Sequence, residues 1–362
     1  MSRLRLNLYH LHDGPRTPSA VSTDEKGPGK GSLRRCAAWR AFGVAMAAAG
    51  SLVVATACSA SSAVPTRLYA YPGNPLFAAA ALLTHNGHKA EAAELKAIAE
   101  TPSGIWAAGQ PGEMQEVRRV TLAANRAHAV PVIVAYNLPG RDACGRLSAS
   151  DGPTASAYEQ WVNQLAAAIG TGDDIVIVEP DGLPDAVRSC LSQSQSSVRF
   201  ELLRYAMRKL GSLRHARVYL DAGNPGMFQD PSQLAQPLEK AGIRYGRGFS
   251  ANVSNFQWTG DVVAWSQRLE RALGGKLGAV IDTSRNGRGP YSGPDNPQWC
   301  NPPGRALGPA PRLDPGPAGI DAYLWVKDPG ASDGPCNGGP PAGQYWPRYA
   351  AELAQASHRS LR

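Results

Sequence analysis

From residue 103 onward, short apolar runs alternate with longer amphipathic ones. The short runs at 130–136, 175–178, 217–220, 248–253, 278–281 and 322–326 predict strands, with weaker ones at 67–70 and 104–107. Between them, apolar residues recur at helical spacing near 87–99, 114–128, 156–169, 196–211, 261–273 and 344–357. The strands lack strict apolar–polar alternation, the pattern of a parallel sheet buried on both faces. Strand-then-helix units repeated over about 260 residues predict an α/β fold of the β/α-barrel kind.

Polar residues collect where these strands end. The clusters are Tyr136-Asn137 to Arg141-Asp142, Glu179-Pro180-Asp181, Asp221 to Asn224, Asn252 to Asn255, Asp282 to Arg285 and Lys327-Asp328 to Asp333. A helix cap would account for any one of them, because Asp, Asn, Ser and Thr also favour that position. Six in series mark the rim on which such barrels assemble their chemistry. The segment 286–319 is crowded with Gly and Pro and reads as a long loop rather than a linker, because Cys300 within it can pair with Cys336 beyond the next strand.

The start of the chain has a different character. Arg34, Arg35 and Arg40 precede an uncharged, mostly apolar run at 41–57, followed by Ala55-Thr56-Ala57-Cys58. This is the shape of an export signal with an Ala-x-Ala cleavage site, spanning about 34–57. Membrane attachment through the leader is a second reading, and a lipoprotein at Cys58 a weaker one, since Ala55 stands where Leu is usual. Residues 1–63 are therefore expected to be a disordered leader plus export signal or anchor, and 64–362 one catalytic domain, secreted or held at the cell envelope. The net charge of +8 fits this division, because residues 1–40 alone carry +5. The remaining surface is ordinary, and neither a basic arm nor a basic helix face points to nucleic acid. Of six cysteines, Cys36 and Cys58 belong to the leader. Cys144, Cys190, Cys300 and Cys336 form an even set that reads as two disulfides in an exported protein, with three pairings open.

Metal chemistry has little support, because the seven histidines are dispersed and no Cys-x-x-Cys stands near them. No metal and no other cofactor is expected. Gly330-Ala-Ser-Asp-Gly334 matches the G-x-S-x-G elbow, yet the Pro- and Gly-rich segment after it cannot start the helix that motif requires. Carboxylate chemistry is left. Glycoside hydrolysis needs one protonated acid and, for inversion, a means of activating water on the opposite face. Asp181 suits the acid, with Asp142 and Asp221 on adjacent strand ends to disfavour its ionisation. Trp106, Trp299 and Tyr136 at the same rim would stack on sugar faces, whereas Trp161, Trp258, Trp265, Trp325 and Trp346 are expected in the core.

From about Arg67 to Ser357 the chain resembles glycoside hydrolase family 6, the inverting cellulases and cellobiohydrolases. The likeness is carried by Tyr136-Asn-Leu-Pro-Gly-Arg-Asp142, Ile177-Val-Glu-Pro-Asp181, Tyr219-Leu-Asp-Ala-Gly223, Asn252-Val-Ser-Asn255, Val280-Ile-Asp-Thr-Ser-Arg-Asn-Gly287, Trp299-Cys300, Gly304-Arg305-Ala306 and Asp321-Ala-Tyr-Leu-Trp-Val-Lys327. The resemblance implies a distorted β/α barrel related to the TIM barrel, with fewer than eight strands and a groove across its C-terminal face. It implies Asp181 as proton donor, Asp142 as the aspartate that raises the donor's pKa and helps a water relay, and Asp333 as the debated base. It further implies Tyr136, Trp106, Asp221, Asn255, Trp299 and Lys327 as substrate-binding residues, and the disulfides Cys144–Cys190 and Cys300–Cys336. Asn224, Met227 and Ala331 depart from the His, Trp and Glu common in the family, and Ala143 is inserted before Cys144.

The expected activity is hydrolysis of β-1,4-glucosidic bonds in cellulose or related β-glucans with inversion, by a monomer. The short segments after Asp142 and Asp181 favour the open groove of an endoglucanase. Two other readings stand beside it: a weakly active or non-catalytic glucan-binding envelope protein, motivated by the three departures, and the same chemistry on a mixed-linkage glucan.

Overall fold

Val, Ile and Leu runs buried on both faces build the sheet, as β-branched side chains favour. The structure, a computed structural model, describes residues 67–294 and 297–360. The expected leader, with the export signal expected at about 34–57 and with Cys36 and Cys58, lies outside the described residues. One sheet contains β1 (Ile105–Ala107), β2 (Val132–Ala135), β3 (Ile175–Val178), β4 (Arg217–Asp221), β5 (Gly248–Ala251), β6 (Gly278–Asp282), β7 (Arg312–Leu313) and β8 (Ile320–Leu324). Their order is β1-β2-β3-β4-β5-β6-β8-β7, and all neighbours are parallel except the two-residue β7, which is antiparallel to β8. The parallel part thus has seven strands. The expected strand at 67–70 reduces to a single parallel bridge between Leu68 and Val130.

The sheet curls until its ends nearly meet. Gly104 donates its backbone N–H to the Trp325 carbonyl (2.8 Å), and the Trp106 indole N–H reaches the Val326 carbonyl (3.0 Å). This approach needs glycine, because a Cβ on Gly104 would stand 2.2 Å from the Val326 oxygen. A few bonds rather than a full ladder join the two ends, which is the distortion of the barrel.

Alternate strand residues point to opposite faces. Val132, Val134, Ile175, Ile177, Tyr219, Val280, Ala322 and Leu324 fill the barrel. Ile133, Ala135, Val176, Val178, Leu220 and Phe249 face outward onto the helices. Those helices are α1 (Leu76–His85), α2 (Lys89–Ala99), α3 (Glu113–Arg126), α4 (Ala155–Ile169), α5 (Gly182–Val187), α6 (Gln193–Gly211), α7 (Ala235–Lys240), α8 (Thr259–Ala272) and α9 (Pro347–Ser360). Thr154 caps α4, and Ser192 with Gln195 forms a capping box on α6. Among the described residues no helix is long and apolar enough to cross a membrane.

Candidate active site

The polar strand ends converge at the C-terminal mouth of the barrel. Left-handed backbone at Asp142 (φ 55°), Glu179 (φ 50°) and Asp181 (φ 64°) turns the chain sharply at the ends of β2 and β3. Such conformations are uncommon for residues other than Gly and concentrate at functional sites. Glu179 supports this turn from beneath. Its buried carboxyl accepts from the backbone N–H groups of Asn137 and Leu138 (3.1 Å each) and from the Tyr158 hydroxyl (2.9 Å). It thereby ties the segment leading to Asp142 to the strand that carries Asp181.

Asp181 sits half-buried at the head of α5. Its backbone N–H donates to Asp221 Oδ2 (3.0 Å), which brings the two acids together. Burial, then the negative charges of Asp221, Asp185 and Asp142, push the Asp181 carboxyl well above the usual carboxylate range. Burial also raises Asp221 to about 7, against the opposing hydrogen bonds from Asp181 N–H and the Ser250 hydroxyl. Asp142 Oδ2 accepts from both the N–H (2.6 Å) and the hydroxyl (2.9 Å) of Ser148. The Ser148 hydroxyl also lies 3.0 Å from the Tyr136 hydroxyl, so acid, serine and phenol form one chain at the mouth.

Asp333 approaches from the other side. Its neighbour Gly334 packs against Leu147, next to Ser148, so its loop meets the Asp142 loop. The Asp333 carboxylate takes two bonds from Arg285 (2.8 and 3.0 Å), one from Lys327 Nζ (3.1 Å) and one from the Asn301 N–H (3.0 Å). Burial alone would raise its pKa, but the charges of Arg285 and Lys327 outweigh it and hold the carboxyl below its ordinary value. An anion gripped by two cations is a weak proton acceptor, which argues against Asp333 as the base.

The expected aromatic groups are at the same mouth. Trp106 meets Tyr136 edge to face with ring centres 5.1 Å apart. Trp299 and Asp142 both border Gly145, where a Cβ would stand 3.3 Å from the indole and 2.2 Å from the carboxylate. Asn255 accepts from Phe256 N–H (3.0 Å) in the loop after β5. Two disulfides, Cys144–Cys190 and Cys300–Cys336, staple the loops that carry Asp142 and Asp333.

The sequence profile of Glycosyl hydrolases family 6 matches residues 65–357. The chain belongs to this family. Over 262 residues it is 40% identical to Endoglucanase 1 of Streptomyces sp. (strain KSM-9), covering 71% of this chain and 70% of that protein. Over 312 residues it is 34% identical to Endoglucanase 1 of Streptomyces halstedii, covering 83% and 94%. The solved structure of endoglucanase Cel6 from Mycobacterium tuberculosis in complex with methyl-cellobiosyl-4-deoxy-4-thio-β-D-cellobioside superposes with a TM-score of 0.73 at 38% identity, covering 81% of this chain and 98% of that one.

Within this family 6 frame, the departures have concrete positions. The Asn224 side chain turns back to accept from the N–H groups of Gly226 (2.9 Å) and Met227 (3.2 Å), capping its own loop. Met227 packs onto the core. Ala331 pairs with Tyr345 in an isolated bridge.

The sequence reading also missed contributors to the family 6 site. Arg285 and Asn301 lie inside or beside quoted motifs, yet their pairing with Asp333 bridges 48 and 32 residues. Ser148 carried no signal beyond its place six residues after Asp142. Asp185 accepts from Ala143 N–H (2.7 Å) beneath the same loop. Its carboxylate lies with the sulfurs of Cys144 and Cys190 within 4.8 Å, a metal-like grouping, but those sulfurs are joined in a disulfide and offer no thiolate. One further expectation fails. Trp258 is not in the core; it is 50% exposed, because it caps the start of α8 at the rim. A cavity of about 480 Å³ lies beside the site, against Gly109, Gln110, Asn137, Arg141 and Asp151.

Proposed function

We propose that this protein hydrolyses internal β-1,4-glucosidic bonds of cellulose or a related β-glucan with inversion at the anomeric carbon. The observation that carries the reading is the environment of Asp181: a carboxyl at the mouth of the groove that burial first, and then three neighbouring acids, push well above the usual carboxylate range. Such a group can protonate the leaving glycosidic oxygen near neutral pH. As the C1–O bond breaks, a water held by Ser148 attacks C1 from the opposite face. Its proton passes through the serine toward Asp142, which already accepts from that hydroxyl. Asp142 then releases that proton to solvent, and the donor takes one back from solvent, which restores both acids for the next cycle. Direct displacement by water without a covalent sugar intermediate gives inversion.

Trp106, Trp299 and Tyr136 would hold pyranose rings, with Lys327, Asn255 and Asp221 as polar partners. The short segments after Asp142 and Asp181 support an open groove and internal cleavage. The two disulfides support an exported protein, secreted or at the cell envelope.

Following anomer formation by NMR on a soluble β-glucan tests activity, linkage and inversion together. Asp181→Asn should lower kcat by at least ~100-fold. A variant that keeps a substantial fraction of activity, or initial release of the β-anomer, would overturn the assignment.

A further inference from the structure

We propose that Trp258 is a stacking platform for a β-glucan chain that has crossed the carboxylate cluster, an inference that rests on the function proposed above. Trp258 is the most exposed large apolar side chain among those of the described residues. An exposed indole need not have a ligand. This one, however, is built into the rim. The backbone on either side of it is fixed: Gln257 N–H donates to the buried Asn252 side chain (3.2 Å), and the buried Asn286 amide donates to Gln257 O (2.9 Å) and Thr259 Oγ1 (3.0 Å). One face of the indole is braced on Gly289, where a Cβ would stand 2.1 Å from Cε2 and 2.3 Å from Nε1. Gly289 also has φ +64°, so any other residue would be disfavoured there twice over. Beneath it, the Arg305 guanidinium gathers the carbonyls of Arg288 (3.1 Å), Gly289 (2.9 Å) and Pro290 (3.1 Å). A rigid support under one face leaves half the residue to solvent.

Its place on the rim suits a sugar chain. Trp106 stands within β1, and Trp258 in the loop after β5, with the strands bearing Asp142, Asp181 and Asp221 between them in the sheet. A glucan entering at Trp106 and passing the three acids therefore leaves toward Trp258. In the loop after β4 Phe228 is buried and Met227 packs onto the core, so neither presents an aromatic face along that exit. The Gln257 amide reaches that loop at Gly226, where a Cβ would meet Nε2 at 2.7 Å, so the two loops are contiguous. Flat aromatic faces pair with the C–H faces of β-linked pyranose rings, so the indole suits the β-glucan of the function proposed above.

The test compares long and short substrates on the full protein. Trp258→Ala should lower the ratio of kcat/KM on cellohexaose to kcat/KM on an aryl cellobioside by about three- to tenfold, through KM on the long substrate. Trp258→Phe should recover most of that ratio. Cellohexaose should also quench tryptophan emission of the Asp181→Asn protein by an amount that the added Trp258→Phe change reduces. An unchanged ratio, or an equal loss on both substrates, would overturn the platform. A shift in sedimentation with no change in the ratio would assign the indole to a contact between copies and equally overturn it. If the unmodified protein cleaves no β-glucan, the reading of the acids fails by itself. The quenching titration still decides Trp258, and absence of binding there rejects it.

Discussion

Two carboxyls on opposite sides of the mouth are shifted in opposite directions, and each shift has a nameable cause. Arg285 and Lys327 outweigh burial and hold Asp333 below its ordinary pKa; burial, then Asp221, Asp185 and Asp142, hold Asp181 above it. Removing Asp333 leaves the fully buried Arg285 guanidinium without its anion, so Asp333→Ala should cost about 3–5 kcal/mol in unfolding free energy. Added azide, which can replace a missing base in an inverting hydrolase, should give no rescue. Recovery of turnover with azide would restore the base assignment. Asp221→Asn addresses the other carboxyl. It takes away the leading charge that opposes ionisation of Asp181, so the alkaline limb of kcat/KM should move to lower pH. An unmoved limb would separate Asp221 from the proton donor. The acids themselves were legible in the sequence, because strand ends expose them in register. Their states were not, since the deciding partners, such as Arg285 for Asp333, come from 48 residues away.

At the scale of elements, the loop after β2 depends on contacts from several other elements. It holds Asp142 in left-handed backbone, and it is fixed by Glu179 at its start, by Arg199 at the Pro139 and Gly140 carbonyls, by Asp185 at Ala143, and by the Cys144–Cys190 disulfide, which spans 46 residues. Replacing both cysteines with serine should lower stability by about 2–4 kcal/mol, read as a lower Tm under non-reducing conditions. Turnover should fall by less than about tenfold, because the Asp185 and Glu179 hydrogen bonds remain. A larger kinetic than thermal effect would make the disulfide a positioning device instead. The strands and the long helices of this frame were readable, because apolar runs and helical periods differ in kind. The elements that escaped had no period to read. α1 is apolar around its whole circumference (LFAAAALLTH), α5 and α7 have six residues each, and β7 has two. Trp258 escaped for a related reason: its burial depends on where α8 begins, and the residue stands one position outside it.

Across the whole molecule, buried acids set a pH dependence opposite to that of surface ion pairs. Glu179 and Asp221 at the rim and Asp174 at the entry to β3 are all raised by burial to about 7, whereas in the unfolded chain they ionise near 4. The folded state then binds more protons than the unfolded state between those limits. For these three groups stability therefore falls as pH rises from about 4 to about 7. Asp174 isolates this effect from catalysis, since it lies at the opposite end of β3 from Asp181. Both its oxygens are buried without a hydrogen-bond partner, and neighbouring Asp173 adds repulsion. Asp174→Asn keeps the shape and removes the charge. Its Tm should decline less steeply than that of the unmodified protein, because Glu179 and Asp221 keep their share of the fall, with a gain on the order of a few kcal/mol at pH 8 and little or none at pH 4.5. The activity–pH profile, governed by the mouth, should not move with it. Parallel Tm curves for the two proteins would mean that Asp174 is ionised in the folded state at neutral pH, and the decline would then belong to Glu179 and Asp221 alone.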